Sequence, residues 1–191
     1  MPEFNDELLP MDVFPSVSWF KRMIHYSASE VLLDIHSNWQ KQTGRTRYEI
    51  AGPNKRQQLV IPIDQSTRKT WEEVEISYAE DWQTAHWRSL EAGYNRSPYF
   101  EYYKDELREL FERQPTLLMN WNLGALDWMM KKLSLSHTVV FPRKGLPQHS
   151  AHQLTLTAYP QVFENRHGFL SNLSMLDALF NLGPEAVTLL R

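Results

Sequence analysis

Two stretches of this chain carry residue types from which a polar site could be built. The first follows the short apolar run Val31–Ile35. His36 comes just past it, then Lys41, Gln42, Arg45 and Arg47 in a polar loop around Gly44. Ligands of α/β sheets bind at strand ends. A basic loop there could hold a phosphate, a carboxylate or a nucleotide-sugar pyrophosphate, since guanidinium forks match such groups. The plain alternative is a solvated loop whose charges pair with Asp34 and Glu49, and exposed pairs of that kind stabilise little. The second stretch runs from His86 to Phe111. It brings His86, Arg88, Tyr94 and Arg96 near the junction of two helices. His86 and Arg88 lie about 200° apart around a helix axis, so a regular helix cannot aim both into one pocket. His86 shares the apolar face of Trp82 and Leu90, where a lone histidine reads as a hydrogen-bonded core residue. Arg88 can pair with Glu91, three residues on.

Other chemistries find no support. There are no cysteines, which excludes disulfides, thiolate catalysis and cysteine-based zinc sites. His149 and His152 are three apart but lack a third ligand at a recognisable spacing, so neither a metal nor another cofactor is expected. No dinucleotide fingerprint, phosphate loop or nucleophile elbow occurs. Net charge is −3 with no long single-sign run, which argues against a nucleic-acid partner. The N-terminus is acidic and does not read as a secretory signal. No window approaches the roughly 18 apolar residues of a membrane span. The expected location is cytoplasmic.

The elements that must position these residues follow from periodicity. Leu8–Phe14 reads as a strand or extended segment, and Ser16 caps a helix buried through Trp19, Phe20, Met23 and Ile24. Val31–Ile35 is a central strand. Tyr48–Ala51 and Gln58–Ile63 flank the turn Gly52–Lys55 as a hairpin. Val74–Ser77 is a further short strand. Three helices follow, over 81–94, 98–113 and 116–133, with Ser97 as N-cap and Pro98 at the first position of the second. Phe100, Tyr103, Leu107, Leu110 and Phe111 form its buried stripe. Thr138–Phe141 and Leu154–Tyr159 read as strands. Ser174–Asn181 is a short helix stopped at Gly183, with Asp177, Asn181 and Glu185 as polar ligands, caps or surface groups. The 191 residues suit one domain. The expected class is α/β, a small mixed sheet with a β-hairpin and a cluster of helices, with α+β as the alternative. Seven tryptophans imply a dense core, or else exposed contacts through Trp39, Trp71 and Trp87.

Read as whole blocks, the chain resembles the WbqC-like proteins. LLPMDVFPSVSWF is similar to their opening "LP-x-x-YFP", with Val13 where the family has tyrosine. IHSNWQKQTGRTRYEIAGPNKRQQLVIPI matches "KQ-(S/T)-(Y/W)-RNR" through Lys41, Gln42, Thr43, Arg45 and Arg47, while Gly44 and Thr46 replace its aromatic and asparagine. AEDWQTAHWRSLEAGYNRSPYFEYYKDELREL resembles "HWRSI…aYrnSPFFeyY" through His86, Trp87, Arg88, Ser89, Tyr94, Ser97 and Pro98. YPQVFENRHGFLSNLSMLDALFNLGPEAVTLL resembles the C-terminal block through Tyr159, Gln161, Phe163, Asn172, Ser174, Asp177 and Asn181. A segment near "YLSG" in longer members is absent, so the chain resembles the short forms.

The resemblance implies a role in O-antigen or other surface-polysaccharide assembly, through transfer of a glycine-type acyl or aminoacyl group onto an amino sugar. In that reading Lys41, Arg45 and Arg47 bind phosphate or carboxylate, and His86 is the general base. Arg88 steadies an oxyanion. Tyr94, Tyr159 and Gln161 position the sugar, with His36, Gln42 and Ser97 completing the substrate site. The partner is a small molecule, a nucleotide sugar or acyl donor. The alternative is a non-catalytic binding or accessory protein of glycan or export machinery that uses the same residues.

Overall fold

Val31, Leu32 and Leu33 are apolar in succession, and a strand of that kind belongs in the middle of a parallel sheet covered on both faces. The computed structural model of the chain, which describes residues 8–27, 29–67, 70–142 and 155–191, places it there. Strand β2 (Glu30–Asp34) lies between β1 (Leu8–Pro10) and β5 (Thr138–Val140), parallel to both, with Leu32 opposite Leu8 and Val140. A separate antiparallel pair, β3 (Arg47–Ala51) and β4 (Arg56–Val60), forms the hairpin, its turn closed by the Gly52 N–H donating to the Lys55 carbonyl at 2.8 Å. The loop with His149 and His152 lies outside the described residues.

Six α-helices surround these strands among the described residues: α1 (Val17–Tyr26), α2 (Trp82–Tyr94), α3 (Phe100–Glu112), α4 (Leu118–Lys132), α5 (Glu164–His167) and α6 (Met175–Leu182). The architecture is α/β, with parallel and antiparallel strands in two small sheets. Short polar side chains start three of the helices as caps, Ser16 on α1, Asp81 on α2 and Ser174 on α6. Gly183, at φ +62°, ends α6 and opens the 3-10 stretch Gly183–Leu190. None of these helices is long and apolar enough to cross a membrane.

The core is aromatic and continuous. Phe14 meets Tyr48 at 5.0 Å and Trp121 at 5.3 Å between ring centres, and Trp121 meets Phe111 and Trp82 at 5.5 and 5.7 Å. All the tryptophans except Trp39 are buried, which favours the dense-core reading over a docking surface of Trp71 and Trp87. Edge-to-face contacts of this kind add to the burial of large apolar area.

Four local expectations change. Strand β1 stops at Pro10 because the chain turns at once: the Asp12 N–H donates back to the Pro10 carbonyl at 3.0 Å, and Phe14 sits in the left-handed region at φ +39°. Val74–Ser77 makes only isolated bridges, Ile76 to Ile63 and Glu75 to Leu117. Residues 155–159 form no strand; Tyr159 instead turns its side chain into the interior. Ser97 does not cap α3. Its hydroxyl donates to the Tyr94 carbonyl at 2.8 Å and closes the end of α2, so α3 begins later.

Helix α2 crosses β3 closely at Gly93, where a Cβ would stand 2.7 Å from the Ala51 carbonyl oxygen. Gly124 of α4 is different, since its nearest neighbour is the Leu110 methyl at 3.4 Å. Gly93→Ala is therefore expected to destabilise by about 1–3 kcal/mol through overpacking. Gly124→Ala is expected to gain up to about 1 kcal/mol of helix propensity. Urea unfolding of the two variants checks both signs.

Candidate functional site

Tyr94 is far in the chain from Tyr159 and Gln161, and one carboxylate brings the three together. Asp177 on α6 is fully buried and accepts from the Tyr94 hydroxyl at 2.7 Å, the Tyr159 hydroxyl at 2.8 Å and the Gln161 amide at 2.8 Å. Tyr94 also accepts from the Ala51 N–H at 2.9 Å, and Gln161 grips the Leu170 backbone through both its amide groups. Burial pushes the Asp177 carboxyl upward and the three donors pull against it, leaving the pKa raised. The network ties α2, β3, α6 and the segment around residue 160. Tyr94 and Ser97 are closed to solvent within it.

His86 is likewise interior. Its Nε2 lies 3.1 Å from the Val60 carbonyl, which can only accept, so Nε2 carries the proton. Nδ1 then holds the lone pair and accepts from the Tyr48 hydroxyl at 3.2 Å. Burial holds its pKa down to about 4, with the Val60 hydrogen bond opposing. Both nitrogens are engaged in pinning the hairpin to α2, and His86 lines none of the three clefts described below. Arg88, two residues on, is exposed on another face of the helix. The structure thus keeps apart the pair expected to share a catalytic role, for the reason of helical phase.

The basic loop divides in two. Arg45 turns inward, donating to Asp34 at 2.7 Å and to the Ser37 hydroxyl at 2.8 Å, with its guanidinium 4.5 Å over the Trp71 ring. Burial works against the Asp34 carboxylate, yet the hydrogen bonds of Ser37 and Arg45 hold its pKa below the ordinary value. His36 pairs with Glu72 at 3.2 Å. Arg47, Lys41 and Gln42 remain at the surface of two adjoining clefts, and Arg47 lines both. The larger, about 340 Å³, includes Trp39, Lys41, Gln42 and Gln65. The smaller, about 250 Å³, includes Asp12, Ser16, Tyr48, Gln58, Asn172 and Ser174. Arg47 reaches Gln58 at 3.3 Å, but its Nε–H is buried without an acceptor among the described residues. A donor left so is unusual and asks for a ligand or water.

The small cleft opens where two helix starts interlock. The Val17 N–H of α1 donates to the Leu173 carbonyl at 3.1 Å, the Met175 N–H of α6 donates to the Pro15 carbonyl at 2.9 Å, and the Asn172 amide oxygen accepts from Ser18. These first N–H groups are used up, so anion binding there falls to Arg47. Asp12, Gln58 and Asn172 are not among the site residues expected from sequence, although Asn172 stands in the C-terminal block that carries the family resemblance. The signal for Asp12 was its charge inside the otherwise apolar Leu8–Phe14. Burial raises its carboxyl to about 7, with Arg45 and Arg22 opposing. A third, larger cleft of about 760 Å³ lies past Gly93 between Arg96, Phe163 and Arg166. Arg96, expected near the helix junction, lines it, but none of the residues given a catalytic or substrate-binding role from sequence does.

The chain belongs to the WbqC-like protein family, whose family model matches residues 12–154. No curated protein and no solved structure matches it. The matched span holds Asp12, both halves of the basic loop, His86 and Tyr94; Tyr159, Gln161 and Asp177 lie beyond it.

Arg45 and Arg47, with only Thr46 between them, are expected to behave oppositely. Arg45→Ala leaves Asp34 buried without its ion-pair partner and should cost about 3–5 kcal/mol. Arg47→Ala should leave the melting temperature nearly unchanged. Asp12 sets a pH dependence. Its folded pKa of about 7 exceeds the ordinary 3.8, so the native state holds an extra proton between those values and loses stability as pH rises through them. Asp12→Asn lacks that slope. It should melt above the wild type at pH 8, with the difference closing toward pH 4. Thermal melts across pH check both expectations.

Proposed function

We propose that this WbqC-like protein is a transferase of surface-glycan assembly, which moves an acyl or aminoacyl group onto an amino sugar, and that its substrate is anchored by an anionic group at Arg47. One observation carries this reading: a guanidinium with a buried, unmatched Nε–H stands at the junction of two open clefts. The ligand group that answers it is a phosphate or carboxylate, which guanidinium binds through two parallel hydrogen bonds. Lys41 and Gln42 extend the same cleft and would hold the outer oxygens of a phosphate or pyrophosphate. Arg45 and His36 support the loop from behind through Asp34 and Glu72. Tyr94, Ser97, Tyr159 and Gln161 act as positioning residues, through the Asp177 network beneath the site. His86 keeps the hairpin, and with it Arg47, in place.

A second reading is a binding protein without catalysis, acting as an accessory to glycan or export machinery. The occupation of both His86 nitrogens favours it, since the base expected for acyl transfer then has no lone pair to offer a substrate.

A thermal-shift screen against nucleotide sugars, sugar phosphates, acyl-coenzyme A thioesters and amino acids tests the anchoring group. Anything that binds the native state raises its melting temperature, by an amount set by concentration over Kd. The expected result is a shift with phosphate-bearing compounds that Arg47→Ala abolishes and Lys41→Ala reduces. A shift that survives Arg47→Ala would remove the site from this cleft. Mixing a shifting acceptor with an activated acyl donor then separates the two readings: acylated product supports transfer, and its absence supports binding alone.

A further inference from the structure

The smaller cleft has an acceptor that matches the unmatched donor. Asp12 follows the turn at the end of β1, where it is partly buried, and no hydrogen bond reaches its carboxylate among the described residues. The carboxyl lies flat against the neighbouring loop. A Cβ at residue 44 would stand 2.5 Å from its Cγ and Oδ2, so glycine alone leaves it this position. The Val13 N–H, donating to the Gly44 carbonyl at 2.9 Å, holds the two segments together. The other acid on this cleft, Glu49, is already paired with Arg56. Of the two carboxylates, Asp12 is therefore the one with capacity to spare.

A desolvated carboxylate without donors is costly. Its own surroundings offset this only at a distance, through Arg45 and Arg22. Arg45 is committed to Asp34. Arg47 bounds the same cleft and needs an acceptor. A single ligand that satisfies both must bring a hydrogen-bonding cation to one end and an anion to the other. Asn172 and Gln58, both lining the cleft, offer neutral polar contacts between.

We infer that the smaller cleft is a site for a zwitterion, a small molecule whose primary ammonium sits on Asp12 and whose phosphate or carboxylate sits on Arg47. This rests on the Arg47 anchoring proposed above and adds the second pole. Two kinds of compound have this chemistry, an amino sugar phosphate and an α-amino acid.

Isothermal titration separates them and tests the second pole. The probes are glucosamine 1-phosphate, glucose 1-phosphate, N-acetylglucosamine 1-phosphate and the amino acid serine, each with wild type, Asp12→Asn and Arg47→Gln. A charge-assisted hydrogen bond should favour glucosamine 1-phosphate over both phosphates without an amine by on the order of tenfold. Asp12→Asn should remove that preference and leave binding of glucose 1-phosphate as it was; it keeps the side-chain shape, and its melt confirms folding. Serine binding that needs both Asp12 and Arg47 would support the same site with the amino acid as source. Equal affinity of wild type for glucosamine and glucose 1-phosphates, with Arg47→Gln weakening both and serine not bound, overturns the inference while keeping the anchor. Binding untouched by Arg47→Gln overturns the anchor itself. No binding of any probe overturns the zwitterion site.

Discussion

A carboxylate with no water around it needs donors from its own chain, and Asp177 finds three. They come from two places: Tyr94 at the end of α2, Tyr159 and Gln161 from the segment before α5. Removing one donor would leave the buried charge short of a partner, so none can be lost cheaply. Tyr94 passes the constraint on to β3 by accepting from Ala51. The close crossing of α2 and β3 at Gly93 follows from the same contact region. From there the hairpin is held again by His86 and Tyr48, and β3 begins with Arg47. Arg47 is therefore carried on a strand locked at two points, which is the condition for a preorganised binding group.

The polar residues sort by what they touch. Asp177, His86, Arg45 and Asn122 are internal, each joining backbone or side chains distant in sequence. Asn122, for example, donates to both the Met11 and Arg45 carbonyls, tying the N-terminal turn to the basic loop. Arg47, Lys41 and Asp12 face space. The same residue types serve both purposes, and two arginines separated by one position end on opposite sides of the loop.

The regular elements could be read from sequence because their signals are local. The three helices expected over 81–94, 98–113 and 116–133 follow from apolar spacing and lie at 82–94, 100–112 and 118–132, the hairpin follows from Gly52–Lys55 between two short runs, and the central strand from the apolar run Val31–Ile35. Irregular segments gave less. The pull of Asp177 on Tyr159 crosses 18 residues and overrides an alternating Leu–Thr pattern. Ser97 and Pro98 looked like a helix start, but a carbonyl at the end of α2 was nearer. The basic loop was readable as polar and arginine-rich. That Arg45 points in and Arg47 out depends on Asp34, Ser37 and Trp71, which no local pattern displays. Asp12 lines a cleft just past a turn closed by its own N–H on the Pro10 carbonyl, which the apolar run around it does not display.

The central claim is that Arg47, and not Arg45, waits for an anion. The side-chain Nε–H resonances of arginines can be followed by NMR while inorganic pyrophosphate is titrated into the folded protein. The account predicts that the Arg47 resonance moves as its Nε–H gains an acceptor, while that of Arg45, whose guanidinium is already bound to Asp34 and Ser37, stays where it was. Movement of Arg45 with Arg47 unchanged would contradict it.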